Sequence, residues 1–370
     1  MRIPPIKVVF SREDITNILT RIEETLSTGM LAQGKYVSEF EQKWADYAGV
    51  KHAVAVNSGS SAIEVPMRIL GVEGKEVLVP DNTFAATALA VTIAGGSVRF
   101  VDTDPQTFSV RLEDIKARRT KNTTGVIVVH IGGILTPEIE AIRQWCEKEG
   151  LWLFEDCAHA HGSEFDGKRA GRFGIAGSYS FFATKVMTTA EGGMIVTNDD
   201  HLAEQSRLMR NHGKPEPWVS RHTHSGSNFR MSELNAILGL AQLERLDEFI
   251  EWREKIAAIY TEGLADMPQL TPILPPYRSS WYKYIVLLPV GQERMNFKQR
   301  VKNLGVSLSG EVYEIPLHRQ PIFEGLNQDQ FPVAEDVCSR HICLPLYYGM
   351  TEEEARFVLS SLRAAMANDQ

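Results

Sequence analysis

The stretch LWLFEDCAHAHG, Leu151 to Gly162, sets the question of this chain: a short apolar run followed at once by two acids, a thiol and two imidazoles. Read as a buried strand over residues 151–155, it leaves Asp156 at the strand end, where a lone carboxylate is costly unless a cation or several donors meet it. The same texture recurs on either side. AVAV (53–56), EVLVP (76–80), SVRFVD (97–102), GVIVVH (125–130), SYSFF (178–182) and MIVTN (194–198) are short, apolar and rich in β-branched residues. They alternate with helical patterns over residues 61–70, 85–94, 137–149 and 201–211, which predicts an α/β fold with a mostly parallel mixed sheet flanked by helices. In such sheets ligands gather at the carboxyl ends of the strands.

Two helices precede the first strand. Ser11 and Asp14 form a capping pair ahead of Ile15, Ile18, Leu19, Ile22 and Leu26, whose spacing lines one helix face. Val37, Phe40, Trp44 and Ala48 repeat the pattern up to Gly49. One amphipathic pattern then runs from Leu234, Ile237, Leu238 and Ala241 to Phe249, Ile256 and Ile259, long enough to link two lobes. A proline-rich stretch (268–276), a strand within WYKYIVLLP (281–289) and a closing helix in EEEARFVLSSLRAAM (352–366) complete a smaller C-terminal α/β domain. The expected division is 1–246 for the large domain with its N-terminal helices and 247–370 for the smaller one.

The 370 residues carry a net charge of −8 with basic residues scattered among acids, so nucleic acid is not an expected partner. No run reaches the roughly 18 apolar residues of a membrane span, and the N-terminus has no signal-peptide core, so a cytoplasmic protein is expected. Four irregularly spaced cysteines are expected to stay reduced.

Four polar stations stand at strand ends. In VNSGSSAIEV, a glycine-bearing turn opens a helix, and its free N–H groups with two hydroxyls suit a phosphate, although taken by itself an ordinary helix cap is the commoner reading. In PDNTFAAT, Phe84 by itself reads as core, and an aromatic just past a strand also stacks on a flat ring. At Asp156 a protonated ring nitrogen would supply the missing cation. A zinc reading of Cys157, His159 and His161 needs a further ligand, and the chain has no CxxC or HExxH to offer one, so no metal is expected. In SYSFFATKVMTTAEGG, Lys185 sits among Phe181, Phe182, Val186 and Met187; a lysine held against apolar surface has a lowered pKa and attacks aldehydes. A phosphate cradle, an aromatic plate, a carboxylate for a ring nitrogen and an amine for an aldehyde together are the binding inventory of pyridoxal 5′-phosphate.

The ordered blocks GMLAQGKYVSEFEQKWADYAGVKHAVAVNSGSSAI, VPDNTFAATALAV, FEDCAHAHGS, SYSFFATK, GSNFRMSELNAILGLAQL and VYEIPLHRQP resemble the DegT family of sugar aminotransferases over nearly the whole chain. The resemblance implies the fold-type I pyridoxal-phosphate transferase architecture. It implies Lys185 as the Schiff-base lysine, Asp156 on the pyridinium nitrogen, Ser60, Ser61 and Ser180 on the phosphate, Phe84 stacked on the ring and His159 on its phenolic oxygen. Asn228 matches a position that reaches the phosphate of a neighbouring subunit, which implies a homodimer. Two departures stand out: His159 where many members carry glutamine, and VHIGG (129–133) where the family often reads VHLYG. The implied activity is ping-pong transfer of an amino group from L-glutamate to a keto sugar, with a nucleotide-linked keto-deoxysugar as the acceptor. KVMTTAEGG and AHAHG resemble a branch acting on keto-cyclitols, the alternative reading. A non-catalytic, coenzyme-binding regulator is the reading from another class; the lysine at 185 argues against it. Trp281, Tyr282 and Tyr313 read as core packing, with the acceptor site as their alternative place.

Overall fold

The computed structural model describes residues 1–216, 218–326 and 329–367. Its centre is a seven-stranded sheet made of β1 (His52–Val56), β2 (Glu76–Pro80), β3 (Ser97–Val101), β4 (Thr123–Val129) and β5 (Trp152–Asp156) with two later strands. A hairpin of β6 (Glu164–Phe165) and β7 (Lys168–Arg169) separates β5 from β8 (Ala176–Ser180) and β9 (Gly193–Thr197). The order is β1-β9-β8-β5-β4-β2-β3. All neighbours pair in parallel except β9, which runs antiparallel to both β1 and β8. Six strands therefore share one direction and deliver their carboxyl ends to one edge. The inner strands are buried along nearly their whole length, which is why the sequence shows apolar runs and not alternation.

Helix α1 (Arg12–Thr28) opens on the expected capping box of Ser11 and Asp14, and Gly29 closes it at φ 71°. Helix α2 (Lys35–Ala48) buries Phe40 and Trp44 completely. Its N-terminal N–H groups at Gly34, Tyr36 and Val37 all donate to the carboxylate of buried Glu233, a charge-assisted cap from far along the chain. The apolar face predicted for α1 is only partly covered: Ile18 is buried, whereas Leu19 and Leu26 are 59% and 61% exposed. Periodicity locates such a face, but only a neighbouring element can bury it, and among the described residues none covers these two leucines.

The sheet is flanked by α3 (Gly59–Ile69), α4 (Ala85–Ile93), α5 (Leu112–Arg118), α6 (Ile139–Lys148) and α7 (Asp200–Arg210). The single amphipathic pattern from Leu234 to Ile259 is broken into α8 (Glu233–Leu243) and α9 (Leu246–Leu264). No proline or glycine marks the break. Arg245 at the junction donates to Asp14, Glu248 and the Tyr348 hydroxyl, so tertiary bonds hold a turn that local sequence does not encode.

Beyond α9, a three-stranded antiparallel sheet forms from β10 (Thr271–Pro272), β11 (Tyr284–Leu287) and β12 (His341–Leu344). With α9, α10 (Arg294–Asn303), α11 (Pro332–Arg340) and α12 (Glu352–Ala367) it completes the fold. A second apolar cluster, including Tyr260, Leu264, Phe297, Val358 and Leu362, lies here and takes in Ile3 from the chain start. Ile3 bonds Gly305 and Ser307 through its backbone. Phe249 and Ile250 of α9 belong to the larger cluster and Ile256 to the second, so this helix bridges the two. The four cysteines are buried and unbridged.

Candidate active site

The shared sheet edge opens into a cavity of about 370 Å³ lined by Ser60, Phe84, Asp156, His159, Ser180 and Lys185, together with Tyr282 and Tyr313. That volume is the size of a small-ligand pocket. Each sequence-derived station reaches it by local geometry. Ser58 caps α3 by accepting the Ser61 N–H, which leaves Gly59 and Ser60 as first-turn donors facing the cavity. Gly59 is required there: a Cβ on it would lie 2.6 Å from Ser180 Cβ. The close approach brings the helix start and the Ser180 hydroxyl into one cradle suited to an anion. Ser61 lies outside the lining, its hydroxyl donating to Asn57 Oδ1 at 2.7 Å.

Asp156 ends β5 and is buried. Its Oδ1 accepts the Ala158 N–H and its Oδ2 the Thr87 hydroxyl at 2.9 Å. Burial still outweighs these bonds and the pull of Lys185, so the carboxyl is held above its ordinary range. A ring N–H⁺ beside it would supply the charge it lacks. Lys185 follows the β8 strand in a tight turn, its N–H donating to Phe182 O. Burial lowers its amine to about 8, with Lys283 adding to the shift and Asp156 opposing it.

His159 is held on three sides. Its ring stacks on Tyr282 at 4.3 Å and 26°, its Nδ1 accepts the Gly132 N–H at 3.3 Å, and its Nε2 faces the Tyr313 hydroxyl at 3.2 Å. Burial and the neighbouring lysines push its pKa well below the usual histidine value, so the ring is neutral and carries its proton on Nε2. Gly132, which stands where VHLYG has its tyrosine, and Gly133, which matches the glycine of that motif, have φ of 66° and 96°, and a Cβ on Gly133 would meet Ser280 Oγ at 2.1 Å. The turn thus contributes a backbone donor to His159.

Phe84 is the N-cap of α4 and is 58% exposed, its ring 5.8 Å from that of Tyr313, so its reading as plain core is replaced by a place in the cavity wall. Tyr282 and Tyr313 likewise line the cavity, while Trp281 stacks on Tyr284 outside it. Sequence reasoning missed how this wall is fixed. Asp81 is fully buried and binds His318 twice, at its N–H and at Nδ1 (2.6 Å), and Asn82 Oδ1 accepts the Tyr313 N–H. The PDNTF turn thereby clamps residues 313–318 over the cavity. Asp81 and Asn82 stood in the quoted stretch, but nothing local indicates partners so distant.

Cys157, His159 and His161 do not converge. His161 Nε2 faces Ser180 O, and among the described residues the one ligand-bearing group with atoms close together is His130, Glu155 and Cys157. There Glu155 already accepts the N–H groups of Gly171, Phe173 and Gly174 and meets His130 Nε2. Asn228 is exposed and lies outside the cavity, its backbone carbonyl accepting from Asn57.

Residues 12–363 match the model of the DegT/DnrJ/EryC1/StrS aminotransferase family, and the chain belongs to that family of fold-type I, pyridoxal-phosphate-dependent sugar aminotransferases. Among curated relatives, the GDP-perosamine synthase of Caulobacter vibrioides is 34% identical over 343 residues, covering 91% of each chain. Among solved structures, Helicobacter pylori PseC, an aminotransferase involved in the biosynthesis of pseudoaminic acid, is 27% identical with a TM-score of 0.91 over the full length of both chains. The PLP form of the putative sugar aminotransferase Spr1654 from Streptococcus pneumoniae is 25% identical with a TM-score of 0.90, again over both full lengths. The protein is an aminotransferase. No described helix is long and apolar enough to cross a membrane.

Proposed function

We propose that this cavity binds pyridoxal 5′-phosphate and moves an amino group from L-glutamate to a keto sugar, with a nucleotide-linked keto-deoxysugar as acceptor. The observation that carries the reading is the convergence of a buried amine of lowered pKa, a buried carboxylate short of a counter-charge, and a glycine-dependent anion cradle in one cavity. The GDP-linked product in the name of the Caulobacter relative supports the nucleotide-linked acceptor. Domain 1–246 carries the coenzyme residues and 247–370 closes the acceptor side.

When bound, the coenzyme supplies an aldehyde for the amine and an electron sink for the charge released at Cα. Lys185 would be the group that bonds the aldehyde, and its free Nζ would be the acceptor for the Cα proton. Its lowered pKa leaves about a tenth of it unprotonated at pH 7, far more than an ordinary lysine offers. Asp156, oriented by Thr87 and the Ala158 N–H, holds a proton on the ring nitrogen, so that negative charge is stabilised as it develops. Ser60, Ser180 and the α3 start hold the phosphate, and Phe84 and His159 fix the ring. Ser61 supports the cradle through Asn57. His159 offers the phenolic oxygen a neutral N–H donor.

The enzyme is a cytoplasmic homodimer in this reading, with Asn228 reaching the partner's phosphate. The exposed leucines of α1 supply an apolar strip for such an interface. Sedimentation of Leu19→Asp as an unchanged dimer would count against that strip.

Borohydride reduction of the coenzyme-loaded protein, followed by peptide mapping, is expected to find the label on Lys185. Label elsewhere would overturn the coenzyme reading. Screening nucleotide-linked keto sugars, free keto sugars and keto-cyclitols against the amino form of the coenzyme, by return of its aldehyde-form absorbance, then separates the acceptor readings.

A further inference from the structure

We propose that the ring face of Tyr282 is the seat of the Lys185 amine whenever that amine is not joined to the coenzyme, which makes Tyr282 a positioning residue for the base. The inference rests on Lys185 being that base. Lys185 Nζ stands 4.8 Å from the centroid of the Tyr282 ring. Among the described residues it has no ion-pair partner, and Asp156 acts on it only at longer range. A base that must gain and release a proton in each cycle is poorly served by a contacting carboxylate, which would hold it charged. A π face attracts the ammonium weakly and without a competing proton acceptor.

The ring is fixed to a degree that core packing alone does not require. The Tyr282 hydroxyl meets Thr184 Oγ1 at 3.2 Å, tying it to the residue before the lysine. Its ring lies against His159, and its N–H donates to Ser280 Oγ. The preceding residue, Trp281, sits at φ 49°, a left-handed conformation unfavourable for a bulky side chain. What holds it there is Arg253 of α9, only 4% exposed, whose Nη1 donates to Trp281 O at 3.1 Å and to Leu346 O at 2.8 Å. Among the described residues Arg253 has no carboxylate partner. A buried guanidinium spent on two carbonyls, one of them in a strained turn, is a costly strut, and strain of this kind persists where the surroundings over-determine it.

The charged and titratable groups facing the amine are Asp156 from β5, Lys283 just before β11, and His159 and His161, both kept neutral by burial. Glu191 lines the same cavity from the approach to β9. The ring face adds to these by favouring the protonated amine.

The test compares Tyr282→Phe, which keeps the face, with Tyr282→Leu and Tyr282→Met, which remove it, all as coenzyme-loaded protein. Met fills the space if Leu disturbs folding. Tyr282→Phe is expected to keep the acid limb of the kcat profile where the native enzyme has it. Leu and Met are expected to move that limb down by about half a pH unit or more and to lower the plateau roughly tenfold, as the base is misplaced. A native limb and plateau in both aliphatic variants overturns the proposal, as does a Phe variant that shifts as far as they do. Borohydride labelling keeps the two readings apart: label on Lys185 with an unmoved profile defeats the Tyr282 seat alone, and label elsewhere defeats the coenzyme reading.

Discussion

The floor and the wall of the cavity were assembled by different means. The floor, Gly59, Ser60, Asp156, Ser180 and Lys185, comes from strand ends and a helix start within one sheet, each placed by its own local sequence. The part of the wall made by Tyr282 and Tyr313 comes from the C-terminal half and is held by Arg253 on the carbonyl of Trp281, by Asn82 on the Tyr313 N–H and by the Asp81–His318 pair. Burial raises the Asp81 carboxyl to about 6, and His318 opposes that shift. Floor residues should therefore act on chemistry directly, and wall residues through placement.

The largest test of that division is Lys185→Ala. Loss of the base and of the bonding amine should cut kcat by about 10⁴-fold or more in a coupled turnover assay, and native turnover would dissolve the distinction. Asp156→Asn should cost about 10²- to 10³-fold in kcat with circular dichroism unchanged, because the ring nitrogen loses the charge that keeps it protonated; a rate close to native would show the carboxylate to be structural. The pH profile follows from the Lys185 amine at about 8. The active form is the unprotonated one, so kcat should rise with pH and level off above that value, standing roughly a hundredfold below the plateau at pH 6. A flat profile between 6 and 8 would mean that another step limits the rate. Gly59→Ala, whose Cβ would sit 2.6 Å from Ser180 Cβ, should weaken coenzyme binding about tenfold by fluorescence titration, through overpacking of the cradle. Unchanged affinity would move the phosphate elsewhere. On the wall, Tyr313→Phe removes the hydroxyl facing His159 Nε2 and should reduce kcat only about fivefold, the scale of one hydrogen bond. A loss as large as that of Asp156→Asn would place Tyr313 with the floor.

Legibility in the sequence follows the same line. The strands around the floor were readable because they are buried on both faces, and the cap at Ser11 because it is local. The break between α8 and α9 was not readable, since Arg245 makes it through Asp14 and Tyr348. The face of α1 was visible, but its exposure was not, because burial depends on what packs against a face and not on the face itself. Phe84 read as core because an aromatic after a strand usually is.

The order of strands and helices, the residues at the strand ends and the family likeness were set by the chain itself, through periodicity, caps and the residue types that a phosphate, an aldehyde and a ring nitrogen demand. The tautomer of His159, the clamp of Asp81 on His318 and the place of Tyr282 against Lys185 were decided only on folding. Each depends on groups brought together from distant parts of the chain, and contacts of that kind carry no signature in the residues on either side.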